Sequence, residues 1–274
     1  MARIVGGFLF PHDPLITAEP KSPPEEQQVA IKNAFGRIRS RLAELDVDTA
    51  IVVGDDHYTV FGPQCLPRCL IAIGDASGPA EPWVGLPQEP FRINQALAQH
   101  ILDYGFDNGV DWAVAKSITL DHSTSLPIHL CIQDNPKISA IPVLVNSGVE
   151  PLISNKRCFE IGRSMREAVL SWNGSERVAI FGTGGISHWV GMADMGKVNV
   201  EWDRMIIEAV QNGDTDTLLR LSDAEIIEKS GNGGLEIKNW IVALGFVDKF
   251  RGELIDYQPI PEWVTGCGFM EIAA

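Results

Sequence analysis

Short apolar runs recur along this chain between longer stretches of helical spacing, and that alternation restricts the fold more than any other feature. The runs cover residues 3–9, 49–54, 69–74, 112–118, 139–145 and 177–181. Residues 3–9 form a continuous apolar run, as expected of a strand buried on both faces of a sheet. Pro24-Glu25-Glu26 opens a helix, with proline and acids in its first turn. Val29, Ile31, Ala34, Ile38, Leu42 and Leu45 are spaced to bury one face of it. Helical spacing returns over 93–104, 157–172, 201–212, 215–221, 223–229 and 235–244, with closing strands expected near 254–258 and 264–272. Proline and glycine between Asp75 and Phe91 predict an irregular loop. No repeat, low-complexity segment or linker interrupts the pattern. It predicts a single three-layer α/β domain over residues 1–274, with a mostly parallel central sheet and helices on both faces.

Composition narrows the partners. A formal net charge of -14 argues against nucleic acid or an anionic membrane surface, both of which require a basic footprint. No apolar run approaches the roughly 18 residues of a membrane span. A strand pattern that begins at Arg3 leaves no room for a signal peptide. Cys65, Cys69, Cys131, Cys158 and Cys267 are odd in number and show no CxxC spacing, so they read as reduced core thiols of a cytoplasmic protein. Cys65 and Cys69 are spaced to share a helical face, but no second pair completes a zinc site.

The chemistry lies where the strands end. The first runs into Phe10-Pro11-His12-Asp13-Pro14, the second into Gly54-Asp55-Asp56-His57. The last runs into Gly182-Thr183-Gly184-Gly185-Ile186-Ser187-His188. Ligands of open α/β sheets bind at the carboxyl ends of strands, so these three histidines are expected to converge. Prolines fix the backbone around His12; a plain turn histidine is the alternative. Asp55 or Asp56 is placed to hydrogen-bond one nitrogen of His57 and orient the other; a polar loop is the alternative. The glycines before His188 let backbone pass close to a ligand, although they match neither the P-loop nor GxGxxG. His122, in Leu120-Asp121-His122-Ser123-Thr124, is a fourth strand-end histidine, or else part of a helix N-cap. His100 and His129, beside apolar residues, read as structural.

Glu236 follows two glycines and lies between leucine and isoleucine, a poor place for a solvated acid. Charged groups in apolar surroundings are usually paired or metal-bound; a first-turn acid complementing the helix dipole is the alternative. Two imidazoles and one carboxylate form the ligand set of non-haem Fe(II) oxygenases, and a catalytic zinc accepts the same set. The residues by themselves predict a metal site and leave the metal open.

Together, His12, Asp56-His57, Asp121-His122, the Gly182–His188 stretch and Leu235-Glu236-Ile237-Lys238-Asn239-Trp240 resemble the class III extradiol ring-cleavage dioxygenases. The likeness is to the LigB type, the catalytic beta subunit of protocatechuate 4,5-dioxygenases, and runs in order from His12 to about Gly245. The resemblance implies Fe(II) held by His12, His57 and Glu236. It implies His188 as the acid–base residue that takes a proton from a catechol and later returns one. His122 would stabilise developing charge beside oxygen or a substrate hydroxyl, and Asp56 would support the ligands from behind. Substrate would be a catechol-type, protocatechuate-like aromatic cleaved with O2 to a ring-opened semialdehyde. The assembly would be a homodimer, or a heterotetramer with a small or related subunit. Asp55 departs from the asparagine expected of close relatives, and no small helical domain is fused at the end of the likeness. A 2-aminophenol-type ring-cleaving dioxygenase shares the fold and ligand set. A non-catalytic binding subunit of the same fold should lack part of that set, and a zinc hydrolase is disfavoured by the lack of HExxH. Lys156, Arg157, Arg163 and Lys238 are candidate cations for a carboxylated substrate.

Overall fold

The computed structural model describes residues 1–273. Its centre is a parallel block of four strands. β1 (Arg3–Phe10) and β2 (Thr49–Gly54) both pair with the strand Arg177–Thr183, and β2 pairs on its other side with Ser139–Val145. Numbered along the chain, the remaining strands are β3 (Cys69–Gly78), β4 (Glu89–Phe91), β5 (Ala113–Thr119), β8 (Arg251–Ile260) and β9 (Thr265–Ala273), which makes Ser139–Val145 β6 and Arg177–Thr183 β7. The sheet runs β4-β3-β6-β2-β7-β1-β9-β8, with β5 also on β3. Both flanks are antiparallel: β9 to β1, β8 to β9, and β3 to β6.

Helices cover both faces, and strand alternation explains how. Leu9, Ile51, Val53, Ile141, Val143, Val178 and Ile180 project into one core, shared with α3 (Gln95–Asp107), α5 (Asn155–Ser171), α6 (Val200–Asn212) and α9 (Ile237–Val247). Their sequence neighbours Phe8, Phe10, Ala50, Val52, Ala140, Ala179 and Phe181 project into the other. There they meet α2 (Glu25–Glu44) and α4 (His122–Cys131). Successive side chains of a strand point to opposite faces, so continuous apolar runs supply two cores at once. Three short helices, α1 (Leu15–Ala18), α7 (Thr215–Arg220) and α8 (Asp223–Ser230), complete the chain. No helix of the described residues is long and apolar enough to cross a membrane.

Three local expectations are corrected. Residues 75–91 are not one loop: β3 continues to Gly78, a 3-10 turn occupies Pro82–Val84, and β4 pairs back on β3. Val29 is 50 % exposed, and the buried face of α2 uses Ile31, Ala34, Phe35, Ile38 and Leu42. Cys65 is exposed and shares no helix with Cys69, which begins β3. The sequence pattern set no bounds for α4, which starts at the helix cap, the alternative reading of His122. Eight of its residues are buried, so it shows no apolar stripe, and Pro127 lies inside it.

Candidate metal centre

His12 lies two residues past β1 and is buried; Thr183 closes β7 beside it. His57 follows β2 by three residues and keeps 32 % of its side chain exposed, which opens the site to solvent. Glu236 ends a 3-10 turn, Gly233–Glu236, that leads into α9, and it too is buried. The glycines of the loop before His188 have a steric purpose. Gly184 has φ +138°, and a Cβ there would lie 2.5 Å from the Glu236 Cβ. The open backbone lets the Gly185 N–H donate to Glu236 Oε2 at 2.8 Å.

Four imidazoles cluster here, three of them facing this acid and His122 stacked on His57, and each is anchored through Nδ1. His12 Nδ1 is 2.9 Å from Thr183 Oγ1, whose single proton goes to the carbonyl of Val53 or Ser123, so the hydroxyl oxygen accepts from His12. The Ser123 carbonyl is free because Pro127, four residues on in α4, has no N–H to give it. His57 Nδ1 donates to Asp121 Oδ2 at 2.9 Å, and His122 Nδ1 to Glu81 Oε1 at 2.7 Å. His188 Nδ1 donates to the Val264 carbonyl at 2.9 Å, with Thr265 Oγ1 equally near. In the neutral rings each lone pair is therefore on Nε2.

Those lone pairs confront a carboxylate. His12 Nε2 is 3.3 Å from Glu236 Oε2, His57 Nε2 is 3.5 Å from Oε1, and His188 Nε2 is 3.9 Å from Oε1. Asp55 Oδ1 lies 3.8 Å from His12 Nε2, which is buried and has no hydrogen-bond partner. Acceptors facing acceptors at these distances repel unless positive charge sits among them. The protonation directions express the same shortage. Burial works to lower His12, but Glu236 and then Asp55 raise it above its ordinary value. Burial likewise opposes His57, yet Asp55, Asp121 and Glu236 hold it well above. Burial would raise Glu236; His12 and His188 hold it well below the usual carboxylate range. A divalent cation satisfies such a donor set without any proton. Groups able to hold a metal occur as His12 with His57 and His122, as Asp55 with His57 and Glu236, and as Glu81 with Asp121 and His122.

Residues 6–268 match the family described as the catalytic LigB subunit of aromatic ring-opening dioxygenase. The chain belongs to that family. It is an extradiol dioxygenase, an enzyme that opens catechol-type rings. Among its relatives is a 2,3-dihydroxyphenylpropionate/2,3-dihydroxicinnamic acid 1,2-dioxygenase of Photorhabdus laumondii, 23 % identical over 89 % of this chain and 90 % of the relative. A Rhodococcus protein of the same name is 22 % identical over 96 % of both chains. An uncharacterized protein of Escherichia coli K12 shares the fold, with a TM-score of 0.51, 12 % identity, and coverage of 97 % of this chain and 99 % of that one.

Within this LigB-family site, the supporting residues differ from those the sequence suggested. Neither Asp55 nor Asp56 orients His57. Asp55 binds Ser147 Oγ and Asn239 Nδ2, and Asp56 accepts the backbone N–H groups of Val60 and Phe61. Asp121 does the orienting, from the turn ahead of α4. β5 runs antiparallel to the central block, so parallel strand ends alone do not build the site. Asp121 and Glu81 carried one sequence signal between them: Asp121 adjoins His122, whereas nothing local marked Glu81. Of the candidate cations, Lys238 is fully buried and paired with Asp223 at 2.8 Å, while Arg157 engages Glu160 and the Gly109 carbonyl. Lys156 and Arg163 are exposed on α5. His100 bonds the Ala168 carbonyl and His129 the Gly78 carbonyl, both away from the four-histidine cluster.

Proposed function

We propose that His12, His57 and Glu236 hold Fe(II), and that the enzyme cleaves a catechol beside its diol with O2 to give a ring-opened semialdehyde. The observation that carries this reading is the confrontation of two Nε2 lone pairs with one buried carboxylate, a two-imidazole, one-carboxylate donor set that leaves coordination positions open. Bound there, the metal would acidify the catechol hydroxyls and bring the ring and dioxygen into electronic contact.

The protein's own contributions follow from the anchoring. Thr183 and Asp121 prevent His12 and His57 from turning away, so their Nε2 atoms are preorganised. His188 turns its Nε2 to the same carboxylate, 3.9 Å from Glu236 Oε1. It is suited to take the proton of a substrate hydroxyl and to return it to the opening ring, because its Nδ1 is already committed as a donor and Nε2 is left to accept. Its Val264 and Thr265 contacts keep Nδ1 as the fixed donor through both transfers. His122 stacks on His57, with ring centroids 4.3 Å apart, and its ring lies 5.7 Å from that of His12, close enough to partner oxygen charge developing beside those ligands.

The relatives are named for 2,3-dihydroxyphenylpropionate and 2,3-dihydroxycinnamate, so catechols with such side chains are the first substrates to assay, beside protocatechuate and 2-aminophenol. The test is metal analysis of anaerobically purified protein, followed by O2 uptake and the yellow product. Stoichiometric iron with catechol-dependent O2 uptake is expected. Protein that binds no iron and turns over no catechol would sink the reading.

A further inference from the structure

Glu81 lies outside every residue the sequence marks for chemistry, yet it holds one of the four imidazoles. The backbone leading to it is laced to the backbone leading to His122: Ala80 N–H donates to the Leu120 carbonyl at 2.7 Å, and Leu120 N–H donates to the Ser77 carbonyl at 2.8 Å. Its side chain is 8 % exposed. Oε1 accepts from His122 Nδ1 at 2.7 Å and from Thr59 Oγ1 at 3.2 Å. Thr59 belongs to the loop that carries His57, so one carboxylate oxygen joins both histidine segments. Oε2 is buried and finds no hydrogen-bond partner.

Burying a carboxylate is costly unless its bonds repay the lost hydration. With Oε2 unpartnered, its hydrogen bonds do not offset that loss in full, so the stabilisation of the fold does not account for an acid here. We propose that Glu81 is the positioning residue of His122. By accepting the Nδ1 proton it fixes the tautomer and the swing of the ring, and leaves the Nε2 lone pair as the only ring acceptor turned to the His12–His57–Glu236 cluster. Asp121 does the same for His57, so two stacked imidazoles are each backed by their own carboxylate. The inference rests on the proposed reading for its kinetic consequence, but the tautomer itself is a property of the protein without metal.

Two measurements test it. Two-bond proton–nitrogen correlation spectra of the metal-free protein at mildly alkaline pH report the tautomer of His122, assigned by comparison with His122→Gln. The wild type and Glu81→Gln, whose carbonyl oxygen keeps both hydrogen bonds, are expected to show His122 protonated on Nδ1. Glu81→Ala is expected to show a mixture. In the iron-loaded enzyme Glu81→Ala should lower kcat by roughly 10- to 100-fold, the usual cost of losing such a partner, with KM and iron content little changed, and Glu81→Gln should restore most of the loss. A pure Nδ1–H tautomer in Glu81→Ala overturns the proposal whatever the activity, as does equal damage in both variants. Loss of iron binding in the wild type would instead remove the function proposed above and leave the spectral result standing.

Discussion

His57 Nδ1 lies 2.9 Å from Asp121 Oδ2, and the same oxygen accepts the His57 backbone N–H at 3.0 Å across 64 residues of chain. The histidine is thus gripped at both ring and backbone by one acid. Burial by itself would raise the Asp121 carboxyl, but the His57 hydrogen bond and charge overcome it and hold the group well below its ordinary value. Asp121→Asn removes the charge while keeping the size. Metal affinity is expected to fall by roughly 10- to 100-fold, read by titration of the metal-free protein. Unchanged affinity would show that the ring is held by other contacts.

Glu236 is the acid on which His12, His57 and the Gly185 N–H all converge. Glu236→Ala should abolish stoichiometric iron, measured by metal analysis, and with it all ring cleavage. Full iron content together with full activity in this variant would falsify the assignment.

The glycine that admits Glu236 makes a separate prediction. Gly184→Ala places a Cβ at φ +138° against Glu236, so strain of about 1–3 kcal/mol is expected as a lower denaturation midpoint. Iron affinity should fall in parallel, because the carboxylate must shift. A variant as stable as the wild type, with normal iron, would contradict the packing described here.

His188 has a different duty. Its Nε2 is 3.9 Å from the nearer Glu236 oxygen, and its other nitrogen is committed to Val264 and Thr265. His188→Ala should therefore retain iron but lose turnover by roughly 100- to 10,000-fold, the range for removal of a general acid–base group. Parallel loss of iron would mark His188 as a ligand instead.

Behind the His188 loop, Asp203 accepts from Ser187 Oγ and from the Tyr257 hydroxyl, the latter at 2.7 Å. Burial pushes its carboxyl up to about 6 from an ordinary 3.8, with both hydrogen bonds opposing. The folded state thus holds a proton that the unfolded chain releases, and stability from this group is lost as pH rises from about 4 to 6. The loss amounts to roughly 3 kcal/mol when complete. Asp203→Asn should flatten that part of the profile, measured by urea denaturation across the window. Parallel profiles for variant and wild type would show that Asp203 titrates normally.

Much of this was legible along the chain, because it depends on near neighbours. Apolar runs that feed two cores announce buried strands, and glycine or proline at their ends announces turns, so His12, His57 and His188 were found by position alone. Glu236 stood out because an acid between leucine and isoleucine conflicts with its surroundings. The partners that aim these groups left no such trace. Asp121 reaches His57 over 64 residues, and Thr183 reaches His12 over 171. Glu81 sits in a stretch that resembles a loop, and α4 is buried on too many sides to show a stripe. Hydrophobic periodicity records which face of an element is buried, not which element lies against it. The sequence by itself determined the layered fold and the residue types at the site. Only the tertiary structure decided which nitrogen of each histidine faces the centre, because that choice is made by hydrogen bonds between segments that meet only on folding.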